Sequence, residues 1–129
     1  ELWRKIVFSI LISNTDDHLR NHGFLYDDGA GGWRLAPVYD VNPTPATEQP
    51  RILSTAINED DATASLDLAL EVANHFGVKA AAAKEVAREV GAVVLTWRDE
   101  AARLGLSSKE IERMASAFEH DDLDASLRA

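Results

Sequence analysis

The stretch "ISNTDDHLRNHGF", residues Ile12 to Phe24, decides how the chain is read. It closes an apolar run and then sets two Asp, two Asn, two His and one Arg within nine positions, Asn14 to His22. Groups of that kind crowded at the end of a hydrophobic helix can be capping and turn residues, or they can be a site of proton and metal chemistry. Upstream, apolar residues at 2, 3, 6, 7, 10 and 11 repeat as i, i+1, i+4, i+5, which predicts a helix over 1–12 with one buried face. That helix opens at Glu1 and Leu2 without a capping residue, as though chain precedes it.

Composition narrows the classes. A chain of 129 residues, 46% hydrophobic and 27% charged, supports one globular domain with one core. Its net charge of −9, from 13 basic and 22 acidic residues, opposes direct binding to a phosphate backbone. No apolar run approaches the roughly 18 residues of a membrane span. The absence of cysteine removes disulfides and thiolate metal sites and fits a cytoplasmic protein. The acidic clusters "EDD" at 59–61 and "EHDDLD" at 119–124 read as a solvated loop and a frayed tail.

Downstream of the polar loop 13–22, "GFLYD" and "WRLA" flank the turn "DGAGG", which predicts a hairpin over 23–36. Four prolines between Pro37 and Pro50 forbid regular structure there and predict a long surface loop. The segment "RILST" is expected to be extended. Helices are predicted over 65–76, ending at Gly77, over 79–104 as one continuous stripe, and from the capping box Ser107–Glu110 to Phe118. Gly91, mid-helix, costs about 1 kcal/mol against Ala and predicts a closely packed neighbour. Trp3, Trp33 and Trp97 are expected in the core or an interface. The fold class is therefore mainly α with a small β-hairpin.

Asp16 and Asn21 stand in the spacing D-x-x-x-x-N, which protein-kinase-type phosphotransferases use in their catalytic loop. Such chemistry needs an Asp to accept the hydrogen bond of an attacking hydroxyl and a neutral amide oxygen to ligate a metal. It also needs a second carboxylate to bridge that metal to the phosphates. Asp40 follows Asn21 by 19 residues, and the predicted hairpin would fold it back beside the loop.

With these residues in hand, "SNTDDHLRNHGFL" followed by "WRLAPVYDV" resembles the C-terminal lobe of HipA-like serine/threonine kinases, the toxin kinases of bacterial toxin–antitoxin systems. The T-D-x-H-x-x-N loop is matched by Thr15, Asp16, His18 and Asn21, and the a-P-x-Y-D segment by Ala36, Pro37, Tyr39 and Asp40. The downstream helices resemble that lobe's helical tail, so the likeness runs over nearly the whole chain. The resemblance implies Asp16 as catalytic base, His18 as a helper toward the transferred phosphate, and Asn21 and Asp40 as holders of Mg²⁺ on ATP. It further implies a cytoplasmic kinase acting on a protein hydroxyl, with a HipB-like DNA-binding antitoxin as partner. Asp17, where relatives often carry a small residue, and His22, where they commonly carry an apolar or aromatic one, receive no role, nor does Arg20. The glycine-rich loop and strand Lys of a kinase N-terminal lobe are absent, so this piece alone is expected to be inactive. Two other readings stand beside this one: a non-catalytic helical interaction module that kept the loop, and a metal-dependent hydrolase built on the Asp/His cluster.

Overall fold

A computed structural model describes all 129 residues. Helix α1 (Leu2–Leu11) comes first, then a single 3-10 turn (Leu19–Asn21) and the strands β1 (Phe24–Asp27) and β2 (Gly32–Leu35). Five helices come after the hairpin: α2 (Leu66–Val72), α3 (Ala80–Val94), α4 (Trp97–Arg103), α5 (Ser108–Phe118) and α6 (Asp121–Arg128). The fold is mainly α with one two-stranded antiparallel hairpin, as the periodicities predict. No helix is long and apolar enough to cross a membrane.

The core forms where α1, α2, α3 and α6 meet. Trp3, Val7, Ile10 and Leu11 of α1 are fully buried, and they join Leu66 and Ala69 of α2 and Ala83 and Ala87 of α3. Trp3 satisfies its indole N–H on the Ala69 carbonyl at 3.0 Å, which fixes α1 against α2. Ser65 caps α2, and a 3-10 turn (Ala73–Phe76) carries the chain to Gly77, whose left-handed φ of 70° ends it. The capping box at Ser107 forms in full, and its hydrogen bonds hold the Glu110 carboxyl below its ordinary pKa.

Two expectations are corrected. The stretch 79–104 is two helices, because the ladder tightens at Leu95–Thr96. Thr96 donates both its N–H and its hydroxyl to the Val93 carbonyl, at 3.1 and 2.8 Å. The buried stripe consequently runs through Ala83, Ala87, Val90, Gly91 and Val94, while Val93 and Leu104 are 69% exposed. The acidic run 119–124 is no frayed tail, since it opens α6, which buries Leu123 and Ser126 and packs on α3. Of the three tryptophans expected in the core or an interface, Trp33 lies outside the core. It is 71% exposed on the hairpin and meets Tyr26 edge-on. Trp97, by contrast, stacks on Phe118 at 4.4 Å and ties α4 to α5.

Candidate functional site: a loop, a hairpin and a returning aspartate

Ser13 ends α1 in the left-handed region, with φ 53°, and turns the chain into the polar loop. Asn14 is fully buried. Its side chain meets Ser9 at 3.4 Å and its Oδ1 accepts the Asn42 N–H at 3.3 Å, lacing the loop to the segment after Asp40. Thr44 N–H adds a second lace, to the Ser13 carbonyl at 3.1 Å.

The hairpin returns the chain as its spacing predicts. Its turn closes on Asp27, whose Oδ1 accepts the N–H groups of Gly29 and Ala30, and Gly31 supplies the positive φ. Register pairs Phe24 with Leu35 and Asp27 with Gly32, and Ala36 N–H continues the ladder to the Gly23 carbonyl. Tyr39 then donates its hydroxyl to the Arg20 carbonyl at 2.8 Å. Across 19 residues of chain, Asn21 Nδ2 and Asp40 Oδ2 come to 2.6 Å.

Asn21 is 3% exposed and held on every side. Its N–H donates to the His18 carbonyl at 2.9 Å, and its Oδ1 accepts the His18 N–H at 3.1 Å. Asp40 is exposed, takes φ 53°, and accepts from Asn42 Nδ2 at 3.0 Å on its other oxygen. A non-glycine residue in that region costs about 1 kcal/mol or more and marks sites where a side chain is aimed rather than merely accommodated. Asp16 is exposed at the rim of a polar cavity of about 500 Å³, lined also by Thr15, Asn42, Thr44, Gln49 and Ser54. Its Oδ1 accepts the Ser54 hydroxyl at 3.3 Å. Asn42 lines the same cavity and bonds Asp40, so it links the base candidate's cavity to the carboxylate candidate, which does not itself line it.

His18 is brought to Asn21 through its backbone, not its ring, and its Nδ1 is buried without a partner. Asp17, His22 and Lys5 form a group to which the sequence alone assigns no role. Lys5 Nζ lies 3.7 Å from Asp17 Oδ1, and His22 Nε2 lies 3.0 Å from the same oxygen. The signal that could have found them is Lys5 and Ser9, one turn apart on a helix whose remaining residues are nearly all apolar. An apolar cavity of about 400 Å³ lies beside this group, lined by Asp17 and His22 among mostly hydrophobic side chains. It holds none of Asp16, Asn21 or Asp40.

No three His, Asp or Glu side chains gather to hold a metal by themselves. Asn21 and Asp40 carry one neutral amide oxygen and one carboxylate, an all-oxygen donor set, with the Asn21 Oδ1 here turned to the His18 N–H and its Nδ2 to Asp40. That donor set fits Mg²⁺, which keeps several waters and takes its remaining ligands from substrate phosphates. It does not fit a zinc-type cage.

Fold and site together define a helical domain organised around a loop, a hairpin and an aspartate that the hairpin returns to the loop. The chain belongs to the HipA-like C-terminal domain family, whose family model matches residues 1–97. A protein of Haemophilus influenzae named "Putative kinase" is 42% identical over 48 residues. That match covers 35% of this chain and only 14% of the relative's length. No solved structure matches the chain.

Proposed function

We propose that this domain is the catalytic-loop half of a serine/threonine protein kinase that transfers the ATP γ-phosphate to a protein hydroxyl. The observation that carries the reading is the 2.6 Å contact between Asn21 and Asp40, with Asp16 exposed on the cavity that Asn42 links to them. Asp16 is the only one of the three that is free to receive a proton from an acceptor hydroxyl entering that cavity. Its bond to Ser54 orients the carboxylate. Asn21 and Asp40 would hold Mg²⁺, which when bound neutralises charge on the phosphates of ATP. Family membership and the relative's name support the kinase class. The remaining elements of the proposal rest on the resemblance: His18 facing the transferred phosphate, a toxin's role, a DNA-binding antitoxin partner and a cytoplasmic setting. A second lobe would have to cover the nucleotide, so the domain by itself is proposed to be inactive.

The test is phosphotransfer by the full-length protein that carries this domain. Asp16→Asn keeps size and hydrogen bonding but removes the basic oxygen, so the rate is expected to fall by about 10²–10⁴-fold with the melting temperature unchanged. Equal rates for variant and wild type would leave a non-catalytic module as the better reading. Hydrolysis that needs metal but no ATP would overturn it in favour of a hydrolase.

A further inference from the structure

Lys5 is buried beneath the loop, and its position is costly without a compensating use. Its side chain is 5% exposed, and its nearest carboxylate is 3.7 Å away, too far for a hydrogen bond. Burying a cation costs several kcal/mol unless charge and hydrogen bonds offset it. The shortest contact Lys5 makes is to a backbone atom: Nζ donates to the Asn21 carbonyl at 2.6 Å. It also lies 3.4 Å from His22 Nδ1, and 5.9 Å from the centre of the Tyr39 ring.

Those contacts fall on a pattern. Asn21 and Asp40 are the two proposed metal holders; Lys5 touches the carbonyl of the first and faces the ring of the residue immediately before the second. Tyr39 in turn bonds the Arg20 carbonyl, one residue before Asn21. One turn further along α1, Ser9 donates to Asp17 Oδ2 at 3.2 Å, and Asp17 is the residue next to the proposed base. The Lys5–Ser9 edge of α1 is therefore tied to the backbone of Asn21 and to the neighbours of Asp16 and Asp40, and to none of the three working side chains.

We infer that Lys5 is a positioning residue: it fixes the Asn21 backbone and the Tyr39 ring, and with them the place of the Asn21 and Asp40 side chains, which meet here through the Asn21 Nδ2–Asp40 Oδ2 hydrogen bond and would turn their oxygens to a divalent cation on binding it. Groups one shell out from metal ligands act this way, and their loss commonly weakens metal affinity by about 10–100-fold. Arg is the substitution that keeps the charge and the donor. Met keeps the length and the apolar stem, but it leaves the carbonyl unbonded and Asp17 without its cation.

The inference rests on the metal-holding role of Asn21 and Asp40, and the experiment separates the two. The probe is Mn²⁺ with a non-hydrolysable ATP analogue, titrated into the full-length protein and followed by electron paramagnetic resonance. Lys5→Met is expected to weaken Mn²⁺ binding roughly tenfold, Lys5→Arg to restore most of it, and Lys5→Met in an Asn21→Ala background to add no further loss. If Asn21→Ala itself leaves Mn²⁺ affinity unchanged, the metal-holding reading fails. If Asn21→Ala weakens binding while folded Lys5→Met does not, the role of Lys5 is overturned and the metal-holding reading stands. Should Lys5→Met fail to fold, Lys5→Met combined with Asp17→Asn removes both charges together and carries the same expectation.

Discussion

Asp16 and Asp17 are neighbours with opposite surroundings, one open to the polar cavity and one buried on α1. Spacing alone makes the meeting of Asn21 and Asp40 legible, because a single turn and a tight hairpin, both local structures, fix it. The partners of Asp17 are not legible: whether Lys5 is exposed or buried depends on what packs over α1, which no local pattern encodes. His120 makes the same point. It sits in a run whose acidity suggests a solvated tail, yet its Nε2 lies 3.2 Å from the Leu11 carbonyl, to which a ring N–H can donate. Burial, and then the Arg51 guanidinium, hold its pKa below the ordinary value of 6.5, against the opposing pull of Asp122. The unfolded chain takes up this proton near 6.5 and the folded chain resists it. The contribution is therefore intact above that pH and is lost as pH falls toward the folded-state pKa. Melting temperatures measured between about pH 8 and pH 5 are expected to fall more steeply for the wild type than for His120→Gln, which retains a donor for Leu11. Parallel slopes would refute this account.

Among the elements, the hairpin and the capping box are readable because their turn and cap residues satisfy their own backbone groups. The break in the stripe over 79–104 is not, because Thr96 competes for the Val93 carbonyl and rotates the residues beyond it, and apolar spacing does not register a hydroxyl. Gly91 is legible from its cost. A Cβ built there would lie 2.0 Å from Ser126 Oγ and 3.1 Å from Ser126 Cβ, so α3 and α6 touch nearly backbone to side chain. Ser126 cannot simply turn away, since its hydroxyl donates to the Leu123 carbonyl at 2.7 Å. Gly91→Ala would gain about 1 kcal/mol of helix propensity at an open site. Here the overlap is expected to outweigh that gain, for a net loss of about 1–3 kcal/mol in urea denaturation. Gly91→Ala with Ser126→Ala removes the nearer of the two clashing atoms and should recover part of the loss. A Gly91→Ala protein as stable as the wild type would mean that the helices separate without cost.

At the scale of the molecule, the family match ends at residue 97, but the structure does not treat the remaining residues as an appendage. Asp122 of α6 accepts the Leu66 N–H at 2.8 Å and pairs with Arg51 at 2.6 Å. Arg51 reaches on to the Ile10 carbonyl and the Ser13 hydroxyl, at 3.0 Å each. One carboxylate on the last helix thus joins the start of α2, the long loop and the end of α1, the point from which the catalytic-loop candidate departs. Ending the chain at Glu119 would remove Leu123, whose burial contributes about 2 kcal/mol. It would also leave Arg51 without its partner, worth about 3 kcal/mol where such a pair is largely buried. Against a total of about 5–15 kcal/mol for a domain, that loss leaves little margin. The truncated chain is expected to lose its cooperative thermal transition and the near-ultraviolet signal of Trp3, while Asp122→Asn in the whole chain keeps both at a lower melting temperature. A truncated domain melting within a few degrees of the whole one would show that the Asn21–Asp40 half of the site is built by residues 1–119 alone.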